Sequence, residues 1–456
     1  MGLSERAFED EAAGLPARRF AFSLLTRVLD QRVTLDEANE ALASVAARMP
    51  PRDAAFARAI AYGALRHKGA LEKLLGRYIK QALPAHGLAA GRVLLCGAAE
   101  LMVLAGKSHA AVDGANRLAV ATREAKPFKP LINAVLRRVA AEGEAAWHMM
   151  DRPRADTPDW LWRRWSAAYG EETAHAIAEA HANPAPLDLT LRDPAGGEHW
   201  QSALGAAEIL PGTLRLAAPG AVETLPGFSE GAWWVQDAAA SVPARLLLDL
   251  LGGGAGKTVV DLCAAPGGKT MQLAAAGARV IAVDSSAGRL KRLAANLART
   301  GLAAETVAAD GRIWRPDAPV DAVLLDAPCS ATGTIRRHPE LPWIRDEGAV
   351  TRNAAAAAAL LDAAFAMLKP GGVLVFAVCS LEPEEGERQM EAFLGRTPGV
   401  RLAAPDPARF GLPEAARRGG FLRLLPSFAA DRGGMDGFFV AGLVKNAAMD
   451  APFSGG

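Results

Sequence analysis

The sequence predicts an α/β protein in three parts: an all-helical front, a small mixed connecting domain and a doubly wound parallel sheet. Three observations carry this prediction. At 456 residues the chain exceeds what one hydrophobic core usually serves, so two or three domains are expected. Apolar residues recur with helical spacing over the first 140 residues. After Asp237, apolar strand-like runs alternate with helical stretches, as a doubly wound sheet requires.

The front is predicted to be a helical bundle over residues 1–141. Phe20, Leu24 and Val28 recur at every fourth position and place an apolar stripe on one helix. Residues 1–140 hold 21 Lys plus Arg and 13 Asp plus Glu, whereas the rest of the chain holds 30 and 37. A basic front suits a polyanionic partner, although a solvated helical surface explains the excess about as often.

A connecting α+β domain is predicted over residues 142–236. Prolines become frequent there, and residues 187–192 alternate between apolar and polar as a strand does. Aromatic side chains cluster near its start, at Trp147, Trp160, Trp162, Trp165 and Tyr169. Core packing is favoured for them over base stacking on exposed rings.

Residues 237–445 are predicted to form the parallel sheet, and residues 446–456 a flexible tail. Strands are expected at residues 258–263, 278–284, 305–310, 320–326 and 372–379, with residues 421–425 and 437–444 as an antiparallel edge pair. Ligands of such a sheet lie at the carboxyl ends of its strands. The site is therefore expected at that edge.

Several functional classes are excluded or disfavoured. No apolar run reaches the roughly eighteen residues of a membrane helix, and the start lacks a signal-peptide core, so a cytoplasmic protein is expected. Four cysteines in so long a chain argue against a disulfide framework, and no CxxC or HxxxH spacing offers a metal site. Gly268-Lys269-Thr270 ends like a phosphate-binding loop, but Cys263 stands where that loop needs glycine. A nucleotide triphosphatase is therefore disfavoured.

The turn after the first predicted strand indicates a cofactor site. In Asp261-Leu-Cys-Ala-Ala-Pro-Gly-Gly-Lys-Thr270, small residues let a ligand approach the backbone where a strand turns into a helix. Asp284, Asp310 and Asp326 end the next strands. Asp284 lies 17 residues past Gly267, and the ribose-binding acid of this fold class lies about twenty past its glycine turn. The set predicts an adenosine-containing cofactor and leaves a nicotinamide dinucleotide and S-adenosylmethionine both open.

Two cysteines favour S-adenosylmethionine. Cys329 and Cys379 each follow an apolar, β-branched run. If the two strands are neighbours, about 4.8 Å apart, both thiols can face one ligand. Carbon 5 of cytosine cannot attack a methyl group unaided, and a thiolate that adds to carbon 6 makes carbon 5 electron-rich. Asp326 could hold the amino edge of the flipped base. The alternative is that both thiols are small buried hydrophobes, as Cys96 is predicted to be.

Three motifs resemble a known family. They are the cofactor turn quoted above, Asp326-Ala-Pro-Cys-Ser-Ala-Thr-Gly-Thr-Ile-Arg-Arg-His-Pro-Glu340, and Cys379-Ser380 followed by Glu382-Pro-Glu-Glu385. They resemble the Sun-type RNA 5-methylcytosine methyltransferases, especially the bacterial RsmB/Fmu branch that modifies 16S ribosomal RNA. The front, including Leu131-Ile-Asn-Ala-Val-Leu-Arg137, resembles the antitermination factor NusB. Gly434-Met-Asp-Gly-Phe-Phe-Val440 extends the resemblance over nearly the whole chain.

The resemblance implies a Rossmann-like methyltransferase domain behind a NusB-like, RNA-binding domain. It implies that Cys379 is the nucleophile and that Cys329 assists release of the methylated base. The implied contacts of S-adenosylmethionine are Cys263, Ala264, Ala265, Pro266, Gly267, Gly268, Lys269, Asp284, Asp310 and Asp326. Val378 departs from the family, which usually has threonine before the nucleophile, so a hydroxyl beside the thiolate is lost.

We therefore expect an S-adenosylmethionine-dependent enzyme that forms 5-methylcytosine in RNA, chiefly 16S ribosomal RNA, as a monomer without metal or membrane contact. Two alternatives stay open: the same chemistry on transfer RNA, and a non-catalytic RNA-binding or antitermination protein that keeps the fold as a scaffold. The two thiols at strand ends argue against the scaffold. Arg336, Arg337 and His338 either touch substrate phosphates or lie in a solvated loop.

Overall fold

The computed structural model describes residues 14–217 and 220–447. Contacts divide the chain into two compact units, one of residues 14–183 with 335–346 and one of residues 184–334 with 347–447. The predicted domain boundaries after residues 141, 236 and 445 remain predictions. The predicted flexible tail lies outside the described residues, apart from its first two positions.

The first unit is built from helices. They are α1 (Leu15–Gln31), α2 (Leu35–Ala41), α3 (Ala43–Ala46), α4 (Pro51–Arg66), α5 (Lys68–Gly76), α6 (Leu88–Met102), α7 (Ser108–Ala121), α8 (Lys129–His148), α9 (Arg152–Asp156), α10 (Asp159–Tyr169) and α11 (Glu171–Ala182). The predicted stripe of Phe20, Leu24 and Val28 is buried in α1. Trp147 and Trp165 are also buried, which confirms core packing for these two aromatic residues.

The segment of residues 335–346 also belongs to the first unit, although it follows the Pro-Cys motif in sequence. It contains a short helix, Leu341–Ile344. Trp343 Nε1 donates to the carbonyl of Leu65 at 2.8 Å, and Glu340 Oε1 accepts from the amide of Leu35 at 3.2 Å. These hydrogen bonds, one to the last turn of α4 and one to the first residue of α2, fix the segment on the helical unit.

The three basic residues of this segment differ in exposure. Arg336 is only 1% exposed, whereas Arg337 and His338 are partly exposed. A buried guanidinium is not available to a phosphate in this structure. The prediction that Arg336 contacts substrate phosphates is therefore wrong for this structure. The alternative prediction, a solvated loop, does not describe Arg336 either.

The second unit begins with a four-stranded antiparallel sheet. Its strands are β1 (Leu187–Leu191), β2 (Ala207–Leu210), β3 (Thr213–Leu216) and β4 (Trp233–Val235), and α12 (Gly197–Leu204) lies between the first two in sequence. The order across the sheet is β2-β3-β1-β4. Leu189, Leu191, Leu214, Leu216 and Trp233 form its apolar core.

The larger sheet has nine strands. They are β5 (Thr258–Leu262), β6 (Arg279–Asp284), β7 (Glu305–Ala308), β8 (Val320–Asp326), β9 (Leu368–Val378), β10 (Val400–Ala403), β11 (Arg417–Arg418), β12 (Phe421–Leu424) and β13 (Phe438–Lys445). The order is β11-β12-β13-β9-β8-β5-β6-β7, and β10 pairs with β13. The run from β9 to β7 is parallel, and β13 is antiparallel to β9.

Helices cover both faces of this sheet. They are α13 (Ala238–Leu251), α14 (Gly268–Ala275), α15 (Ala287–Thr300), α16 (Glu347–Ala366) and α17 (Glu387–Arg396). Residues alternate along each central strand: Leu324 packs in the core that contains α13, and Val323 and Leu325 pack in the core that contains α16. This is the predicted α/β class, so the fold prediction is confirmed.

The predicted antiparallel pair is present as β12 and β13, with the two-residue strand β11 beyond β12. β13 joins this pair to the parallel strands. It lies between β12 and β9, and its first six residues are buried. Burial on both faces explains its nearly continuous apolar composition. Within the described residues, no helix is both long and apolar enough to cross a membrane.

Candidate active site

The two cysteines meet at the carboxyl ends of β8 and β9. These strands are parallel neighbours, with Asp326 opposite Ala377 in the register. Cys329 follows β8 and Cys379 follows β9, and their Sγ atoms are 3.5 Å apart. Both thiols are partly exposed. The expectation that neighbouring strands bring both thiols to one point is confirmed.

Gly333 holds the loop of Cys329 against the segments that contain Cys379 and Gly437. The amide of Gly333 donates to the carbonyl of Cys379 at 3.0 Å, and the amide of Gly437 donates to the carbonyl of Gly333 at 2.8 Å. A Cβ at Gly333 would lie 2.1 Å from the oxygen of Gly437, so any side chain there would force these segments apart. The glycine of the Pro-Cys motif is thus needed for close backbone approach.

The thiol contact affects the protonation of Cys329. The hydrogen bond with Cys379, and then burial, raises the pKa of Cys329 well above its ordinary value. Cys329 therefore keeps its proton at neutral pH, and either sulfur can be the donor in the Sγ···Sγ contact.

A partly buried ion pair lies at the end of β8. Nζ of Lys269, from the first turn of α14, is 2.7 Å from Oδ2 of Asp326 and 5.3 Å from the centre of the Phe438 ring. Burial alone would lower the pKa of Lys269, but the carboxylate of Asp326 more than offsets burial and raises it. Lys269 therefore remains a cation. Only Oδ2 of Asp326 takes part in this pair, so Oδ1 stays available to another donor.

The turn between β5 and α14 has the backbone conformation that its sequence requires. Gly267, the N-cap of α14, has φ of 105°, a conformation that favours glycine. A Cβ there would also lie 2.9 Å from Cγ of Leu293. Below the turn, Thr270 Oγ1 donates to Oδ2 of Asp261 at 2.6 Å, which joins the helix to the strand. The predicted residues Cys263 to Lys269 thus form one continuous turn between β5 and α14.

Asp284 stands beside this turn, at the end of β6. Its carboxylate accepts from the amide of Ala265 at 3.2 Å and from that of Ser286 at 2.9 Å. Arg289 lies 3.5 Å from the same carboxylate and also donates to the carbonyl of Ala265. Asp284 is only 2% exposed. Asp284 therefore supports the turn, and it also lies at the strand end where the ribose-binding acid was predicted.

Asp310 lies at the same edge but not in contact with the other candidates. The amide of Ala309 donates to the carbonyl of Asp284 at 3.1 Å, which carries the chain past the end of β7. The Asp310 carboxylate is held by Arg312, whose Nη2 and Nε lie 2.5 and 3.0 Å away. Hydrogen bonds from Arg312 lower the pKa of Asp310 to about 2. This fork was not foreseen from the sequence.

Val378, the departure from the family pattern, is fully buried. It belongs to the apolar core with Phe376, Met390 and Phe393. Its role in this chain is packing, and a threonine at this position would have to bury a hydroxyl in that core.

Comparisons with known proteins match two separate stretches of the chain to families. Residues 249–444 match the family model described as 16S rRNA methyltransferase RsmB/F, and residues 15–141 match the NusB family. Ribosomal RNA small subunit methyltransferase B of Vibrio vulnificus is 35% identical over 446 residues, covering 94% of this chain and 99% of the relative. The protein of the same name from Vibrio cholerae is 36% identical over 452 residues, covering 94% and 97%.

The chain belongs to the RsmB/F family of 16S rRNA methyltransferases. It is therefore an S-adenosylmethionine-dependent ribosomal RNA methyltransferase, and the predicted family, the NusB-like front and the cofactor are confirmed. The crystal structure of PH0851 shares the fold, with a TM-score of 0.72 and 23% identity over 95% of this chain and 99% of that one.

Sequence reasoning assigned no role to several polar residues that support the RsmB/F site. Asp261 is buried under the cofactor turn, where burial raises its pKa to about 7, and Oδ1 has no hydrogen-bond partner among the described residues. Glu385 and Ser380 are buried behind the thiols. Asp261 and Glu385 stand inside the quoted motifs, but a motif does not reveal which of its acids become buried. Among the described residues, no cluster of His, Cys, Asp and Glu could hold a metal ion.

We predict that Cys263 reacts slowly with alkylating agents. Burial, with the nearby carboxylates of Asp326, Asp284 and Asp261, raises its pKa to about 12. A raised pKa favours the neutral thiol, so near pH 8.5 its thiolate fraction should be roughly a thousandfold below that of free cysteine. Peptide mass spectrometry during iodoacetamide labelling, with N-acetylcysteine as the reference thiol, measures this. Labelling of Cys263 at the reference rate would contradict the prediction.

Proposed function

We propose that this methyltransferase forms 5-methylcytosine in 16S ribosomal RNA through a covalent bond between Cys379 and carbon 6 of the base. The contact of 3.5 Å between Sγ of Cys329 and Sγ of Cys379 carries the proposal. Methyl transfer to a nitrogen or oxygen needs no thiol, whereas carbon 5 of cytosine needs a nucleophile to activate it and a base to restore the ring. Two thiols at one edge of the sheet can supply both.

Cys379 performs the first step. Its sulfur adds to carbon 6 of the flipped base, so that the electron pair of the ring double bond moves to carbon 5. S-Adenosylmethionine, when bound, supplies an electrophilic methyl group to that carbon. The raised pKa of Cys329 supports this assignment, because a thiol that keeps its proton is a poor nucleophile.

Cys329 performs the last step. Its pKa is raised by its hydrogen bond with Cys379 and then by burial. Once Cys379 is bound to carbon 6 as a thioether, it carries no negative charge, and the pKa of Cys329 falls. Cys329 can then lose its proton to solvent, and the resulting thiolate takes the proton of carbon 5. The bond between carbon 6 and sulfur breaks, the ring double bond returns, and Cys379 leaves as a thiolate.

Asp326 orients the base in this scheme. Carboxylates accept from the exocyclic amine of cytosine, and Oδ1 of Asp326 is not used by Lys269. The Lys269 ion pair fixes the side chain at the end of β8, next to the Pro-Cys loop. Its contribution is orientation, since the electron pair that attacks the methyl group comes from the base.

The residues of the turn fit the cofactor. Asp284 receives hydrogen bonds from two backbone amides, and Oδ1 of buried Asp261 lacks a hydrogen-bond partner among the described residues. S-Adenosylmethionine presents a ribose diol and an ammonium group, which are donors to carboxylates. Asp284 would hold the diol, with Asp310 beyond it. The turn from Cys263 to Lys269 would face the methionine part, whose carboxylate suits the N-terminus of α14.

We predict that Asp284→Asn weakens cofactor binding. Hydrogen bonds to a charged group contribute about 1.5–3 kcal/mol, so the Kd for S-adenosylmethionine should rise by roughly tenfold to a hundredfold. Isothermal titration calorimetry measures the change. Asp317→Asn, at an exposed loop position of the same unit, is the matched control and should bind normally. Equal affinities for the two variants would remove Asp284 from the cofactor site.

One assay tests the substrate and the position of the methyl group together. The purified protein is incubated with labelled S-adenosylmethionine and either 16S ribosomal RNA or transfer RNA, and the nucleosides are separated by mass spectrometry. We expect 5-methylcytidine in 16S ribosomal RNA, and bisulfite sequencing then locates it. Label in another nucleoside, or in transfer RNA alone, would overturn the proposal. We place the reaction in the cytoplasm.

A further inference from the structure

Behind the two thiols lies a buried hydroxyl pair. Ser330 follows Cys329 and Ser380 follows Cys379, and both serines are completely buried. Their Oγ atoms are 3.1 Å apart. The contact repeats, one residue further along each loop, the contact between the thiols. The serine contact and the thiol contact therefore join the same two loops.

Glu385 holds this pair. Its Oε1 accepts from the amide of Ser330 at 2.8 Å, and its Oε2 is 2.5 Å from Oγ of Ser330. Hydrogen bonding with Ser380 also acts on its carboxyl group. The Glu385 side chain thus accepts hydrogen bonds from the amide and the hydroxyl of Ser330 in the Cys329 loop, and it also interacts with the hydroxyl of Ser380 in the Cys379 loop.

Glu385 is buried, so its carboxyl group acts inside the protein and not at its surface. The residue is completely buried, and burial raises its pKa. No cation forms an ion pair with it in the part of the chain that the structure describes. A buried carboxyl group without a cation is costly unless its oxygens are used by hydrogen bonds. Here both oxygens are used, and both bonds end on the residue next to Cys329.

We propose that Glu385 is a positioning residue that keeps the Cys329 and Cys379 loops in register, so that the two sulfur atoms stay in contact. This role rests on the proposed function, because it matters for catalysis only if both thiols act on one base. Glu385 touches neither base nor cofactor in this account. It acts through Ser330 and Ser380, whose positions it fixes.

The test compares Glu385→Ala with Glu385→Gln and with a matched control, Glu384→Ala. Glu384 is the preceding residue, which is partly exposed, lies in the turn before α17 and forms an ion pair with Arg388 of that helix. The amide oxygen of glutamine can still accept from the Ser330 amide, so Glu385→Gln should rescue much of the activity. Misplacement by about 1 Å costs roughly a hundredfold in rate, so Glu385→Ala should lower kcat by about that factor and leave KM for RNA within about twofold.

A second readout needs neither RNA nor cofactor. Phenylarsine oxide binds two adjacent thiols together, releasing one water, and the Cys329→Ser variant sets the background for a single thiol. We expect the wild type, Glu385→Gln and Glu384→Ala to capture the arsenical with both sulfurs, and Glu385→Ala to capture it more slowly. If Glu385→Ala does not fold, Ser330→Ala, which removes one of the two bonds, is measured in the same two ways and should show smaller losses.

The outcomes separate the two proposals. Glu385→Ala behaving as Glu384→Ala does in both assays would overturn the positioning role, as would a loss confined to KM with normal arsenical capture. If the wild type makes no 5-methylcytidine but Glu385→Ala still captures the arsenical slowly, the proposed function would be contradicted. That result would leave Glu385 as the residue that holds the thiols together.

Discussion

Replacing Cys379 with serine should abolish methyl transfer and all covalent attachment to RNA. A serine hydroxyl is not ionised at neutral pH and is a poor nucleophile toward carbon 6, so carbon 5 stays unreactive. Removal of an enzyme nucleophile typically lowers kcat by about 10⁴-fold or more, and we expect a loss of this size in kcat/KM. Transfer of labelled methyl groups to 16S ribosomal RNA measures it.

Cys96→Ala is the matched control for this experiment. Cys96 is a buried cysteine of α6, in the first unit, far along the chain from both motifs. Its substitution removes a thiol without touching the site, so methyl transfer should persist. Activity of Cys379→Ser within about tenfold of the control would mean that Cys379 is not the nucleophile, because losses from altered packing alone are of that size.

Replacing Cys329 with serine should instead trap the enzyme on its RNA. Cys379 can still add to the base and the methyl group can still transfer, but the proton of carbon 5 then lacks its base. General base catalysis contributes roughly 10²- to 10⁴-fold, so the adduct should decay slower by a similar factor. Denaturing gels of the variant with RNA and S-adenosylmethionine should show a slower band that ribonuclease removes.

The double variant Cys329→Ser, Cys379→Ser is the control for this trap, and it should form no adduct. The assignment of the two thiols would be reversed if the band formed with Cys379→Ser and not with Cys329→Ser. The assignment that we propose is supported by the raised pKa of Cys329, which its hydrogen bond with Cys379 and burial cause, because a protonated thiol is a poor nucleophile.

The strands of the second unit could be predicted because their signal is local. β8 and β9 are β-branched, apolar runs buried on both faces, and such runs are recognised without knowledge of their neighbours. The position of β13 could not be predicted in this way. Its place between β12 and β9 depends on pairing with residues some sixty positions earlier, and the sequence of a strand does not state its partner.

Some residues of the candidate site could likewise be predicted from local sequence, and others could not. Cys329, Cys379 and Asp326 could be predicted because each ends a recognisable strand, and neighbouring parallel strands end at one edge. Glu385 could not, since its hydrogen bonds exist only after two loops fifty residues apart are brought together. The fork between Asp310 and Arg312 is local, but it depends on a side-chain rotamer and not on a residue pattern.

The bond between Cys379 and the base is tested most directly by tandem mass spectrometry of the adduct formed by Cys329→Ser with 16S ribosomal RNA, after digestion with ribonuclease and protease. We expect a methylated cytidine nucleotide on the peptide that contains Cys379. A nucleotide on any other residue, or no nucleotide on any peptide while the wild type methylates the same RNA, would contradict it.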